Sequence, residues 1–216
     1  MKRYSRKLSF FLTGLILLSA CMIPHASPKS TKIGTTVKNV WNIHIPDLRG
    51  GIELHYRTSE FIRPGDIILV RGSTWIDRAI TIITRSAYTH AAGVVMPDEV
   101  VDIAPFTKTG CKNLWLFAGQ ADVYTCDSLT DDQRRKIVEY AVGKVGTRYD
   151  YVLVLWQASR YLLNWAWPYS IGKDSLCSTL WADAYRKAGV ELCPEIIFPS
   201  PGDLANSRLL RKVLSY

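Results

Sequence analysis

The hydrophobic pattern of the chain centres on one amphipathic segment near its C-terminal end, residues 174–189. Apolar or small residues recur there with the i, i+3, i+4, i+7 and i+11 spacing of a buried helical stripe: Cys177, Leu180, Trp181, Ala184 and Ala188. Asp174 or Ser175 can cap the first turn, and Gly189 suits a left-handed C-terminal residue. The pattern predicts one helix with Cys177 at the N-terminal tip of its buried face.

Before this helix, apolar runs separated by turn residues predict strands alternating with helices. The predicted strands cover residues 67–70, 88–96, 99–104 and 121–126, and a last edge strand covers 209–214. The predicted helices are one capped by Ser73 or Thr74, one opened by the Thr130–Gln133 capping box, an aromatic-rich one over 152–167 and a short turn at 199–204. These elements are enough for one globular domain.

The first 20 residues predict a targeting segment rather than part of the fold. A basic start is followed by an apolar run over residues 8–20 that is too short to span a bilayer comfortably. The run ends in Leu18-Ser19-Ala20-Cys21, which resembles a bacterial lipobox and implies cleavage before Cys21 and acylation of its thiol. The alternative is ordinary secretion with cleavage after Ala26. We therefore expect a lipoprotein signal peptide (1–20), a tether and N-terminal arm (21–56) and one domain (57–216), exported and anchored to a bacterial membrane facing the periplasm.

The net charge says little about the binding partners of the protein. The formal charge of +8 includes four basic residues of the targeting segment, and without them 23 lysines and arginines face 19 acidic residues, a net charge of +4. This surplus suits a domain near anionic lipid or wall polymer and does not argue for nucleic acid. The sequence has no phosphate-cradling glycine loop and no metal-ligand cluster, so we predict no cofactor and no metal.

Cys177 has two interpretations. At a helix N-terminus the partial positive charge favours the thiolate, which is the nucleophilic form of cysteine. A buried structural thiol is the alternative, and export would also permit disulfides. Among Cys111, Cys126, Cys177 and Cys193, two of the three pairings that are possible tie Cys177 to Cys111 or Cys126 and would abolish its chemistry. Cys111 with Cys126 is a plausible local pair, and Cys193 suits a core or loop position.

A catalytic thiol needs a base, and the base needs an orienting group. His90 is the one histidine within the predicted domain, and a structural core histidine is the alternative interpretation. Asp102 on the returning strand is the candidate orienting group. Because side chains alternate, a three-residue loop near Pro97 would place Asp102 opposite Ala92 and on the face of His90, whereas a two-residue turn would turn it away. The assignment of Asp102 therefore requires an odd-numbered loop.

Six short motifs occur in one order along the chain, from about Phe61 to Leu210. They are Pro64-Gly65-Asp66-Ile67, Thr89-His90 with Gly93, Val101-Asp102-Ile103-Ala104, Leu129-Thr130 with Gln133, Tyr149-Asp150-Tyr151 and Leu176-Cys177-Ser178. Their order resembles the circularly permuted papain-like family, the YaeF/YiiX/YebB-like branch of the NlpC-type cysteine peptidases, and in particular its lipoprotein members. The histidine strand precedes the cysteine helix, as in a permuted chain. Asp102 departs from the glutamate that is more usual in such relatives.

The resemblance implies an α+β, circularly permuted papain-like fold with an antiparallel sheet packed against helices. It implies Cys177 as nucleophile, His90 as base and Asp102 as the third, polar residue. The backbone N–H of Cys177 is the expected oxyanion donor. Tyr88 and Ser178 are further candidate oxyanion or substrate contacts.

The expected function is that of an exported thiol hydrolase that cleaves an amide bond of a cell-wall peptide through an acyl-enzyme. One alternative is an acyl-lipid hydrolase or acyltransferase, for which the residues of an apolar groove would be Trp156, Tyr161, Leu162, Trp165 and Trp167. The other is a non-catalytic envelope binding protein with Cys177 in a disulfide. The expected partners are a peptidoglycan peptide or an acyl lipid, and the membrane through the lipid anchor.

Overall fold

The structure is a computed structural model, and it describes residues 61–170, 172 and 174–216. The predicted signal peptide, the predicted lipidation of Cys21 and the arm over 21–56 lie outside the described residues, as do the first four residues of the predicted domain. Those assignments stay predictions.

Six antiparallel strands form one sheet in the order β4-β3-β2-β1-β5-β6. The strands are β1 (Ile67–Val70), β2 (His90–Met96), β3 (Glu99–Asp102), β4 (Gly110–Asn113), β5 (Ala121–Thr125) and β6 (Arg211–Ser215). The predicted strands are all present, and the last one lies at an edge as expected. Strand β4, at the other edge, was not predicted from the sequence.

Five helices and one 3₁₀ turn complete the described fold, which is α+β as expected. They are α1 (Trp75–Thr84), the 3₁₀ turn (Leu114–Phe117), α2 (Asp131–Gly143), α3 (Tyr151–Leu163), α4 (Cys177–Lys187) and α5 (Pro201–Ala205). Thr74 and Thr130 cap α1 and α2 through reciprocal capping boxes, which confirms both predicted starts. Helix α3 ends earlier than predicted because Asn164 adopts a left-handed conformation. None of the helices in the described residues is long and apolar enough to cross a membrane.

The two faces of the sheet are covered differently. Helix α4 packs on β2 so closely that a Cβ at Gly93 would lie 2.4 Å from the ring of Trp181. A side chain at position 93 would therefore push the helix away. The opposite face carries a hydrophobic cluster that includes Ile68, Val94 and Leu114. The close contact at Gly93 sets the position of α4 against the strand that begins with His90.

Candidate active site

Helix α4 begins at Cys177, so the thiol lies on the first helical residue. The cap is Leu176, and the prediction that Asp174 or Ser175 caps the helix is wrong. The Leu176 N–H donates to Thr179 Oγ1 at 3.0 Å, while the Asp174 carboxylate accepts the backbone N–H of Arg148 at 3.2 Å. Asp174 does not cap α4 because its carboxylate is hydrogen-bonded to the neighbouring backbone at Arg148.

The rest of the helix follows the predicted pattern. Cys177, Leu180, Trp181, Ala184 and Ala188 are all buried, which confirms the stripe. Gly189 has a φ of +82°, the left-handed conformation expected after the last turn. The N–H of Cys177 has no acceptor within its own helix because it belongs to the first turn. The thiol is therefore buried at the positive end of the helix dipole.

The connection between β2 and β3 differs from the predicted loop, yet it still places Asp102 opposite Ala92, as the assignment requires. Met96 pairs with Glu99 across a two-residue turn, not across the three-residue loop that the assignment of Asp102 required. The register then shifts between Val94 and Met96, so that Gly93 pairs with Val101. This bulge supplies the extra residue. Continued by one residue, the register places Asp102 opposite Ala92, as the longer loop would have done.

The structure brings His90 and Asp102 together. His90 Nε2 donates to Asp102 Oδ1, and the Asp102 side chain is only 1% exposed. The other carboxylate oxygen, Oδ2, accepts from the Nζ of Lys112 at 2.5 Å. Lys112 belongs to the unpredicted strand β4, and a single lysine in a polar stretch carries no sequence signal that would have revealed this contact.

The Cys177 thiol lies close enough to His90 for each side chain to shift the pKa of the other. Because Nε2 is bound to Asp102, Nδ1 is the ring nitrogen left for the thiol. Burial alone would lower the pKa of His90, but the Asp102 carboxylate and the Cys177 sulfur raise it well above 6.5. Burial would raise the pKa of Cys177, but the His90 charge and hydrogen bond, together with the Ala91 N–H, lower it. The arrangement favours a thiolate–imidazolium pair.

The carboxylate at the end of this series stays ionised. Burial tends to raise the pKa of Asp102, but His90 and Lys112 outweigh it and lower the pKa to about 2. The ordered contacts Cys177–His90–Asp102 thus place a nucleophile, a base and an orienting group in sequence. The structure brings the three predicted residues together, and their catalytic roles remain predictions.

Three aromatic rings lead outward from the thiol. Tyr149 pairs by a parallel bridge with Ser175, and burial beside the Cys177 charge raises the pKa of its hydroxyl. The centroid of the Tyr149 ring lies 5.2 Å from the centroid of the Tyr151 ring. The centroid of the Tyr151 ring lies 5.7 Å from that of the Phe106 ring. Phe106 is 64% exposed, and its N–H donates to the Tyr151 hydroxyl at 2.7 Å. We call Tyr149, Tyr151 and Phe106 the aromatic strip.

Tyr88 and Ser178, the two further candidates for an oxyanion or substrate contact, differ in their surroundings. The Tyr88 hydroxyl donates to Asp122 Oδ2 at 2.5 Å and lies 2.9 Å from the hydroxyl of Tyr124, so it is engaged away from Cys177. Ser178 follows the thiol directly and is buried, and its Oγ has no hydrogen-bond partner within the described part of the chain. Of the two, only Ser178 has a polar side-chain atom without a partner beside the thiol.

The cysteines are free thiols throughout the described residues, so the suggested disulfide between Cys111 and Cys126 is wrong. Cys111 is on β4 and Cys126 follows β5, and three other strands separate β4 from β5. At about 4.8 Å per strand the two thiols are far beyond disulfide distance. Cys177 is likewise free, which removes the basis for a binding protein with that thiol in a disulfide. Cys193 is buried, as expected for a core or loop thiol.

The aromatic residues of the predicted groove differ in exposure, although the rings of Trp165 and Trp167 are in contact, with centroids 5.5 Å apart. Trp156 is buried, with its ring 4.8 Å from that of Phe198 and its Nε1 donating to the Trp167 carbonyl. Tyr161 is tied to Asp203 by a 2.5 Å hydrogen bond. Leu162 and Trp165 are exposed. The prediction of a single groove over these residues is therefore too broad.

No group of three or more His, Cys, Asp or Glu side chains within the described residues is arranged to hold a metal ion. No family model and no curated protein matches the chain. Among solved structures it is similar to the crystal structure of "metalloprotein yiiX from Escherichia coli O157:H7, DUF1105". The TM-score is 0.55 at 16% identity, over 72% of this chain and 98% of that chain. At this identity the likeness shows a shared α+β fold alone.

Proposed function

We propose that the protein is a thiol hydrolase with a circularly permuted papain-like arrangement, in which the histidine strand precedes the cysteine helix. The observation that carries the proposal is the series Cys177–His90–Asp102 at the N-terminus of α4, in which His90 is hydrogen-bonded to Asp102 and interacts with the thiol. A thiol, an imidazole and a carboxylate in this order are what covalent acyl transfer requires. The order of the motifs and the fold shared with yiiX support it.

In this mechanism the Cys177 thiolate attacks the carbonyl carbon of the substrate and forms a tetrahedral oxyanion. The N–H of Cys177, at the positive end of α4, stabilises the oxyanion. The His90 imidazolium gives its proton to the leaving group, the carbon–leaving-group bond breaks, and a thioester remains. His90 then takes a proton from water, and the hydroxide attacks the thioester; the carbon–sulfur bond breaks, the acid leaves, and the Cys177 thiolate is restored beside the His90 imidazolium.

The first substrate class we propose is an amide of a cell-wall peptide. A protein that is exported and lipid-anchored at Cys21 would have access to such peptides. The lipobox-like segment Leu18-Ser19-Ala20-Cys21 supports the location. The aromatic strip supports an acyl lipid as the second candidate, because it begins beside the thiol and ends in the exposed ring of Phe106. Aromatic rings of this kind can bind an apolar chain.

The proposal is tested by the pH dependence of Cys177 alkylation with iodoacetamide, read by mass spectrometry at each cysteine, in the wild type and in His90→Ala. We expect wild-type Cys177 to titrate well below the ordinary thiol value of about 8.5, and the substitution to raise its pKa. At about pH 6 the variant should alkylate at least about tenfold more slowly, since each pKa unit changes the thiolate fraction tenfold.

Two other thiols in the same sample serve as internal references. Burial and the neighbouring Glu99 raise the pKa of Cys111 to about 11, and burial beside Asp203 raises that of Cys193 to about 11. Both should react slowly near neutral pH in either protein. If Cys177 reacts as slowly as they do and His90→Ala changes nothing, the protein is a binding protein rather than a hydrolase. Given a reactive thiol, turnover of a long-chain ester that is faster than that of a short-chain ester of the same alcohol would favour the lipid substrate.

A further inference from the structure

The two oxygens of the Asp102 carboxylate have different partners. Oδ1 accepts from His90, and Oδ2 accepts from Lys112 at 2.5 Å. Lys112 is not among the residues that the sequence assigned to the site. A buried carboxylate needs such partners because an unpaired charge is costly away from water.

The strand register explains how Lys112 reaches Asp102. On β4, Lys112 pairs with Val100, and Gly110 is the residue directly opposite Asp102. Lys112 is therefore a diagonal neighbour, a separation that a long side chain can cross. Gly110 has no side chain to stand between them. The aliphatic part of Lys112 can lie along the edge strand while its ammonium contacts the buried oxygen.

We propose that Lys112 is a positioning residue, whose ammonium fixes the Asp102 carboxylate and thereby the orientation of His90 toward Cys177. This inference rests on the proposed function. A carboxylate held through one oxygen can turn about its last side-chain bond, and the imidazole would turn with it. A contact on each oxygen removes that freedom and keeps Nδ1 of His90 toward the thiol.

Four titratable groups interact with the Asp102 charge. Three lie on named elements, His90 on β2, Lys112 on β4 and Cys177 on α4, and the fourth, Tyr149, lies just before α3. The Asp102 charge opposes ionisation of Cys177 but favours protonation of His90. The charge of Lys112 therefore acts in opposite directions on the two partners, and the effect we expect comes from the contact that holds the carboxylate in place. Without that contact His90 is no longer kept toward Cys177, so the thiolate–imidazolium pair should weaken.

The test is the pH dependence of Cys177 alkylation in Lys112→Met, Lys112→Arg and the control Lys212→Met. Lys212 is a matched control because its Nζ lies 2.9 Å from a carboxylate oxygen of Asp122, and that side chain is also 1% exposed. At about pH 6 we expect Lys112→Met to alkylate about tenfold more slowly, as for a rise of one unit in the Cys177 pKa. Lys112→Arg, which keeps the charge, and Lys212→Met should each stay within about twofold of wild type.

A second pair of variants separates positioning from a structural effect. If Lys112 acts through Asp102, Lys112→Met should change the alkylation rate by less than about twofold in an Asp102→Asn background. Should Lys112→Met not fold, Lys112→Gln removes the charge with a polar chain and has the same expected loss. Two results would overturn the inference. One is a folded Lys112→Met variant whose Cys177 alkylation has the pH dependence of wild type. The other is a loss of alkylation rate on Lys112→Met that is as large in the Asp102→Asn background as in wild type.

His90→Ala in the same assay distinguishes the two proposals. If His90→Ala leaves Cys177 alkylation unchanged, the proposed hydrolase fails. If His90→Ala slows alkylation and Lys112→Met does not, only the role of Lys112 fails.

Discussion

Asp102 on β3 and Asp122 on β5 each lie one strand in from an edge of the sheet. Both side chains are 1% exposed, and each is bound by a lysine from the neighbouring edge strand, Lys112 on β4 or Lys212 on β6. Each carboxylate also has a pKa of about 2, with burial opposing and hydrogen-bond partners lowering it. By burial and charge the two sites are nearly the same.

Their remaining partners differ in chemistry. Asp122 binds Arg71 at 2.6 Å and Tyr88 at 2.5 Å, and burial with the Asp122 contact raises the pKa of that tyrosine. Neither partner changes its charge near neutral pH. Asp102 instead binds His90, which interacts with Cys177. The buried aspartate–lysine pair therefore does not distinguish the two sites, and the histidine beside a thiol does.

The largest expected difference comes from replacing each aspartate with asparagine. Asp102→Asn should lower hydrolysis by about 100-fold or more, because the base loses its orienting group. Asp122→Asn should leave hydrolysis within about twofold and lower the free energy of unfolding by about 1–3 kcal/mol, as for a charged hydrogen bond. Steady-state rates and urea unfolding of both variants check this. Equal losses of activity would show that the two sites do not differ in function.

A smaller effect is expected in acid. Because the pKa of Asp102 is about 2 in the fold against an ordinary 3.8, its ionised form contributes stability above about pH 4, and the contribution is lost as the pH falls through about 2. The loss between about pH 5 and pH 2 should be about 2 kcal/mol. Urea unfolding over that range should show a loss in Asp102→Asn that is smaller than in wild type by this amount, because Asp122, whose pKa is also about 2, loses its contribution in both proteins. The same pH dependence in both proteins would exclude Asp102 as its source.

The smallest effect is expected from Tyr88→Phe. The Tyr88 hydroxyl is bound to Asp122 rather than presented to Cys177, so its removal should cost about 1 kcal/mol of stability and change hydrolysis by less than about twofold. Thermal unfolding and kcat on one substrate measure the two effects. A fall in kcat of more than about tenfold with unchanged stability would place Tyr88 among the oxyanion contacts after all.

Much of the fold was predictable because local patterns are strong where burial is continuous. Strand β1 is four buried apolar residues, and α2 opens with a capping box at Thr130. Strand β4 was missed because Gly110–Asn113 is a mostly polar edge segment with little burial. It is a strand because β3 offers it a hydrogen-bonding partner, and no local pattern contains that information.

By itself, the sequence determined the residue types of the site and their local settings: a thiol at the start of a buried helical stripe, a histidine at the start of a small-residue strand and an aspartate on the returning strand. Only the tertiary structure decided that they meet. A bulge near Val95 set the register that places Asp102 opposite Ala92, and the neighbouring edge strand brought Lys112 to its second oxygen. Register is settled by packing summed over the whole sheet, so which side chains touch across strands depends on residues far apart in the chain.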